Sequence, residues 1–206
     1  MTRTSFRAAA GAEKSDLIDR FGSILSGLDE RVAQSLLNFE RVWNSASKGR
    51  SRYSNGSFPV LYTAASESVA FVEKGHWVTE IILKPIGMSI TLPPYYLFQV
   101  KVEGTFDQYE IDNDLRIVHP TDYSFCNELG EKAVRDGRAY LVVPSARVNG
   151  GVCVPVFRRD LSSVDEVSVD TFEYIWDADA SKLSVAWAGS VVPADVDDVY
   201  SKVAGR

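Results

Sequence analysis

Three residues with side chains suited to a phosphate-containing ligand follow one another at nearly equal spacing: Arg52, Tyr62 and Glu73, ten and eleven residues apart. An arginine fork can bind a phosphate, a tyrosine ring can stack on a planar group, and a carboxylate can stabilise a developing positive charge. The arginine precedes a turn, the tyrosine is predicted on an apolar strand, and the glutamate on the apolar face of a short helix. A strand-to-helix corner that joins these three groups is typical of a nucleotide site.

Glu73 is the sharpest of the three candidates. It follows Val69 by four residues and Ala70 by three, in a helix that Ser66 can cap, so it projects from the face that packs on the core. A carboxylate there must be paired, hydrogen-bonded or neutralised. Periodicity alone also allows a capping or ion-pair glutamate at the end of the helix.

Arg52 and Tyr62 each have a structural alternative as well. Arg52 could be a solvated turn arginine, because Lys48 and Arg50 lie nearby in the sequence. Tyr62 could be a core tyrosine whose hydroxyl is satisfied by a neighbour. Either residue alone is explained more simply by structure than by ligand binding.

The other reactive residue types give no second site. Ser145 ends a strongly apolar strand, but the sequence has no GxSxG motif, and neither His76 nor His119 has a recognisable catalytic partner. Cys126 and Cys153 lack zinc-ligand spacing, so we expect buried free thiols, with a single disulfide between them as the open alternative. No metal site is predicted, and neither a Walker loop nor a GxGxxG motif is present.

Composition bounds the class of protein. With 206 residues and 45% hydrophobic content, the chain can bury a full core, and no proline- or glycine-rich linker divides it. The net charge of -6 disfavours a general nucleic-acid binder, although one or two local arginines suffice for a small anion. No apolar run suggests a signal peptide or a membrane span, so we expect a cytoplasmic protein.

The elements that must position these residues follow from the hydrophobic pattern. We expect one domain over residues 1–206, in which 1–13 are loose, 14–45 are helical and 46–206 form the core that carries the site. Within the core the pattern predicts a strand over 58–64, a helix from Ser66 that stops at Gly75, and a second helix over 122–136.

Most of the remaining chain has β signals. Six segments rich in β-branched and aromatic residues are strand candidates: 80–86, 95–104, 140–148, 152–161, 167–177 and 182–192. Asn149-Gly150-Gly151 predicts a hairpin turn between two of them. Helices first and then mostly short strands favour an α+β fold over a doubly wound parallel sheet.

Two segments together resemble the RES-domain family, the toxin half of bacterial Res–Xre toxin–antitoxin pairs. SRYSNGSFPVLYTAASESVAFVE at 51–73 is similar to the family's G-R-W-N-x-x-G-x-P-V-x-Y-T-S pattern and the short helix that ends in glutamate. NELGEKAVRDGRAYLVVPSA at 127–146 is similar to the later helix with an L-G pair and the strand that ends in V-P-S-A. Tyr53 stands where the family usually has tryptophan, and the family's N-P-x-H segment is absent.

The resemblance implies an ADP-ribosyltransferase-like split β-sheet and an enzyme that degrades NAD, as its substrate, by hydrolysis or phosphorolysis. It implies catalytic roles for Glu73, Arg52 and Tyr62, and contacts to the substrate from Arg52, Tyr62, Ser145, Tyr53 and Arg50, without a metal. The implied partner is an Xre-type antitoxin that occludes the pocket, with a homodimer within that complex left open. Two alternatives remain: transfer of ADP-ribose to a protein, and a non-catalytic interaction protein with a vestigial pocket.

Overall fold

The structure is a computed structural model, which describes residues 1–10, 37, 39, 40, 42, 43, 46, 49–194, 196, 197 and 199–205. Side chains are described for all of these except residues 9, 10, 113 and 165–170. The predicted helical segment 14–45 therefore lies largely outside the described residues. Its described positions 37, 39, 40, 42 and 43 are helical.

The described chain contains short helices around a large sheet. The strands are β1 Thr2–Ala10, β2 Arg50–Ser51, β3 Ser54–Asn55, β4 Leu61–Ala64, β5 Ile90–Thr91, β6 Tyr95–Glu103, β7 Phe106–Gln108, β8 Tyr140–Pro144, β9 Val152–Val156, β10 Ser162–Asp177, β11 Lys182–Trp187 and β12 Ser190–Pro193. The α-helices are α1 Glu67–Val78, α2 Lys84–Ile86, α3 Ser124–Arg135 and α4 Val199–Ala204. A π-helical turn, Thr79–Leu83, joins α1 to α2. The 3-10 turns are Ile111–Asn113, Leu115–Val118 and Arg159–Leu161.

Strands β1 and β4 to β12 form one sheet in the order β12-β11-β10-β6-β1-β4-β9-β8-β7, with β5 pairing β10 off this path. The pairs along this path are antiparallel except for the last, in which β7 runs parallel to β8. β2 and β3 form a separate two-stranded hairpin. The predicted α+β fold is confirmed.

The sheet is almost divided between β1 and β4. β1 pairs with β6 over its whole length, from Thr2 opposite Glu103 to Ala10 opposite Tyr95, but with β4 only at Phe6 opposite Ala64. Buried hydroxyls bridge this narrow junction: Thr63 Oγ1 lies 2.9 Å from Ser5 Oγ and 2.6 Å from Val154 O. The two sets of strands thus separate beside β4, the strand that carries Tyr62.

The sheet buries a hydrophobic core on each face because successive side chains alternate across the strands. On β4, Leu61 belongs to one core with Trp43 and Val42, whereas Ala64 belongs to the other with Phe71 of α1. The larger core, under α1 and α3, is the one beside which the candidate site lies.

The N-terminal prediction was wrong. Residues 2–10 of the segment expected to be loose form β1, in the interior of the sheet between β6 and β4. The segment TRTSFRAAA has few large apolar residues, so no hydrophobic pattern marks it as a strand. Its neighbours β6 and β4 determine its structure through long-range pairing.

The segment 80–86 was predicted as a strand, and this too was wrong, since it continues the helical path of α1 through the π turn into α2. Five-residue spacing places Val78 and Leu83 in the core, and both are fully buried. The helical path ends at Gly87, which has φ 67°, and not at Gly75 as predicted.

Gly75 lies inside α1 for a packing reason. A Cβ atom at this position would lie 2.7 Å from Leu183 Cδ2 and 3.1 Å from Tyr174 Cε1. The glycine therefore lets α1 approach β10 and β11 closely. The helix predicted at 122–136 and the strands around the Asn149 turn are confirmed, as α3, β8 and β9.

None of the helices in the described part of the chain is long and apolar enough to cross a membrane.

Candidate functional site

A cavity of about 570 Å³ opens where the sheet divides, between β1, β4 and α1. Its lining includes Arg50, Arg52, Tyr62 and Glu73, four of the residues singled out by sequence. Ligand pockets of small molecules have volumes of this order. The junction of the two sets of strands is therefore the candidate site.

Glu73 lies on α1, half-buried, with its carboxylate held by neutral donors. Ser145 Oγ donates to Glu73 Oε1 at 2.6 Å, and Cys153 Sγ donates to the same oxygen at 3.4 Å. Burial first, and then the negative charge of Glu73, raises the pKa of the Cys153 thiol well above its usual range, so Cys153 stays protonated and can donate. The carboxylate is thus fixed at one oxygen.

Ser145 positions Glu73 rather than lining the cavity. Its side chain is fully buried at the end of β8, and its Oγ accepts from the backbone N–H groups of Arg147 and Val148, both at 3.0 Å. With two donors aimed at the oxygen, its own proton is directed to Glu73. The direct substrate contact predicted for Ser145 remains a prediction, and the geometry favours a role exerted through Glu73.

Arg52 is 8% exposed and aims into the same cavity. Its Nη1 donates to Ile117 O at 3.3 Å and His119 O at 3.0 Å, and its guanidinium carbon lies 4.4 Å from the centre of the Tyr123 ring. Burial alone would lower the pKa of Arg52, but the facing Tyr62 and other neighbours raise it above its ordinary value. Arg52 is therefore a permanent positive charge.

Tyr62 lines the cavity, and Tyr53 lies behind it. Their rings stack at 6.0 Å between centroids with 21° between planes. Burial raises the pKa of both hydroxyls well above the usual range, so both rings are neutral. Tyr53 is fully buried and is not part of the cavity wall, so its placement is that of a support for Tyr62.

The helix α3 explains why two distant parts of the sequence meet at this site. Asn127 Nδ2 donates to Ser51 O at 3.0 Å and Arg52 O at 2.9 Å, which holds the turn that carries Arg52. A Cβ atom at Gly130 would lie 2.0 Å from Tyr53 O, so only glycine allows α3 to pack on that backbone. The glycine of the L-G pair therefore packs against the backbone of the turn that carries Arg52.

Several cavity residues were missed by sequence: Arg7, Lys74, His76, Tyr123 and Arg147. Lys74 and His76 could have been found, because they flank Glu73 on one helix. Arg147 follows Ser145 by two residues but gives no motif. Arg7 could not have been found, because its strand was itself missed.

The cavity wall is strongly cationic although the whole chain is acidic. Five of its residues are basic, namely Arg7, Arg50, Arg52, Lys74 and Arg147, against two carboxylates, Glu73 and Glu80. Burial, and then the charge of Arg7, lowers the pKa of Lys74 to about 8, so most of it remains charged at neutral pH. The arrangement can hold an anionic ligand beside the Glu73 carboxylate. No group of three or more metal-ligating side chains occurs in the part of the chain that the structure describes.

Comparisons with known proteins point to one family. A family model described as the RES domain matches residues 30–177. A comparison with curated proteins finds no match. Among solved structures, the crystal structure of the M. tuberculosis MbcT-MbcA toxin-antitoxin complex is similar at 14% identity and a TM-score of 0.47, covering 100% of this chain and 91% of that chain. That likeness is too low to transfer a function.

Proposed function

This chain belongs to the RES-domain family, and we propose that it is the NAD-degrading toxin of a toxin–antitoxin pair. It would cleave the bond between nicotinamide and ribose, with water or phosphate as the acceptor. NAD is the substrate in this proposal, and no metal takes part.

One observation carries the proposal: the carboxylate of Glu73 is fixed by Ser145 at 2.6 Å beside a cavity whose wall has five basic side chains and one further carboxylate, Glu80. The basic wall suits the diphosphate of a dinucleotide. The Glu73 carboxylate suits the positive charge that develops on the ribose when its bond to nicotinamide breaks.

The proposed reaction needs few catalytic groups beyond this electrostatic arrangement. Loss of nicotinamide leaves positive charge on the ribose ring, which Glu73 stabilises without having to move, because Ser145 and Cys153 already hold it. Nicotinamide is a good leaving group, so a strong general acid is unnecessary. Arg52 would bind the diphosphate, Tyr62 would stack on a ring of the ligand, and Arg50 would contact the ligand at the rim.

The rim of the cavity supports a protein partner that covers it. Trp77 and Ile81 line the cavity, yet they are 49% and 59% exposed. Ile86 follows them on the same helical path and Met88 lies just beyond its end, and both side chains are exposed. Exposed apolar groups of this kind beside a site are typical of a protein interface. An Xre-type antitoxin seated here would close the cavity.

The test is release of nicotinamide from NAD by the purified chain, with and without phosphate. Glu73→Gln should lower kcat by about a hundredfold or more, because the variant keeps the shape but loses the charge that stabilises the transition state. Glu128→Gln, an exposed glutamate on α3, is the matched control.

Each product identifies a different outcome. Free ADP-ribose indicates hydrolysis, and a phosphorylated ADP-ribose indicates phosphorolysis. Labelled protein without free ADP-ribose would replace the proposal with protein ADP-ribosylation. Turnover unchanged in Glu73→Gln would remove Glu73 from the mechanism.

A further inference from the structure

Two buried arginines in the cavity wall form no ion pair with a carboxylate in the part of the chain that the structure describes. Arg52 is 8% exposed and Arg147 is 6% exposed, and both line the cavity. Neither takes part in a salt bridge within the described ranges. Buried charges in proteins are normally paired, so two unpaired guanidiniums in one wall indicate a missing anionic partner.

Each guanidinium also has a buried nitrogen without a hydrogen-bond partner in the described part of the chain. Arg52 uses Nη1 for two backbone carbonyls, and its Nη2 has no hydrogen-bond partner in the described part of the chain. Arg147 uses Nη2 for the Tyr123 hydroxyl at 3.4 Å, and its Nε likewise has no partner there. An unsatisfied buried donor destabilises the fold, and a bound acceptor would remove that cost.

Tyr123 fixes the relation between the two arginines. Its ring lies against Arg52, with 4.4 Å from the guanidinium carbon to the ring centre, and its hydroxyl accepts from Arg147. The two positive groups are thereby held at two ends of one rigid side chain. A ligand with two linked anionic groups can satisfy both, whereas a single carboxylate could pair with only one.

Resting on the proposed function above, we propose that Arg147 is the second arm of a diphosphate site whose first arm is Arg52. In this site each guanidinium binds one phosphate of the dinucleotide, and Tyr123 sets their separation. Arg147 would therefore determine the preference for nucleoside diphosphate ligands. It also connects the two ends of the site, because its backbone N–H donates to Ser145, the residue that holds Glu73.

His76 fits this arrangement as a neutral neighbour. Burial, and then the positive charge of Arg147, lowers the pKa of His76 to about 4, so the imidazole carries no charge at neutral pH. The positive charge of the cavity wall therefore comes from its arginines and Lys74, and not from His76.

The experiment measures binding of ADP-ribose and of inorganic pyrophosphate by titration calorimetry. Arg147→Gln should weaken both by about 10- to 100-fold, the range expected for charge-assisted hydrogen bonds. Adenosine, which has no phosphate, should bind the wild type and the variant equally. Arg135→Gln, an exposed arginine at the end of α3, should bind all three like the wild type.

A second variant separates binding from damage to the fold. Arg147→Lys keeps the charge but loses the fork, so it should recover part of the affinity for pyrophosphate. If Arg147→Gln does not fold, Arg147→Lys alone decides, because an affinity equal to that of the wild type would overturn the two-armed site. Equal pyrophosphate affinity in folded Arg147→Gln would overturn it as well.

Kinetics distinguish this inference from the proposed function. Arg147→Gln should raise KM for NAD with little change in kcat, in contrast to Glu73→Gln. If the wild type does not cleave NAD, the proposed function fails. The pyrophosphate affinities of the wild type and Arg147→Gln would still test the role of Arg147, because they do not depend on NAD cleavage.

Discussion

At the scale of single residues, Glu73 is held by neutral donors. Ser145 and Cys153 fix one oxygen with uncharged groups, an arrangement that suits the cation that the proposed reaction would form in the ligand. Sequence periodicity found Glu73, but it could not identify Ser145 as its support. That contact joins residues 72 positions apart, which no local pattern encodes.

His76 gives a prediction at the same scale, on the dependence of stability on pH. Its pKa is about 4 in the folded chain, lowered by burial and by Arg147, and about 6.5 when unfolded. Between these values the unfolded state binds more protons, so the contribution of His76 makes stability fall as pH falls from about 6.5 to about 4.

His76→Gln should flatten this part of the curve, as measured by urea unfolding midpoints at several pH values. Groups distant from His76 titrate equally in both proteins, so the difference between the curves reports His76 together with its neighbour Glu80. Identical pH curves for the two proteins would contradict the half-buried, neutral state of His76.

At the scale of elements, α1 combines a functional face with an unusually close contact. Gly75 lies two residues after Glu73 and faces Leu183 and Tyr174, and Tyr174 is itself fixed by a hydrogen bond of 2.7 Å from its hydroxyl to Phe71 O. Glycine in sequence suggested a helix end because it usually supplies one. The packing of β10 and β11 against α1 overrode that local preference.

Gly75→Ala should therefore destabilise the chain by about 1–2 kcal/mol, since overpacking exceeds the gain in helix propensity. Chemical unfolding measures this change. Gly49→Ala, where a Cβ atom would meet nothing within 4 Å, is the control and should change stability by less than about 1 kcal/mol. A more stable Gly75→Ala would show that α1 can move away from the sheet at little cost.

Element prediction succeeded where the pattern was local and failed where it was not. β6, β8, β9 and α3 have strong apolar periodicity and were found. The 80–86 segment has β-branched residues, yet a π turn carries it onward as helix. A single extra residue per turn changes which side chains face the core, and short-range propensity cannot detect it.

At the scale of the whole molecule, the cavity exists because the sheet is nearly divided. In the described part of the chain, β1 is joined to β4 by one residue pair, the buried hydroxyls of Thr63 and Ser5, and a hydrogen bond of 2.7 Å from Arg7 Nη1 to Tyr62 O. Ser5 Oγ also donates to Val100 O on the far side at 3.3 Å. The divided sheet leaves room for the basic wall. The sequence predicted the fold class and two of the five basic residues of this wall, but it could not predict β1, whose pairing is entirely long-range.

Thr63→Val tests the junction. The variant keeps the shape but removes a buried hydroxyl that serves Val154 O and Ser5 Oγ, so unfolding free energy should fall by about 1 kcal/mol. Thr121→Val, at an exposed position, should change it by less than about 0.5 kcal/mol. Equal values for both variants would mean that the hydroxyls do not hold the two sets of strands together.

The central place of β1 has a consequence for how the chain is made. Ribosomes synthesise residues 2–10 early, but their partners on β6 lie at 95–103, and Ser145, which anchors Glu73, comes later still. During translation the first strand must therefore wait for its neighbours, and the carboxylate has no support until synthesis has passed residue 145. The proposed site is therefore assembled only late in the synthesis of the chain.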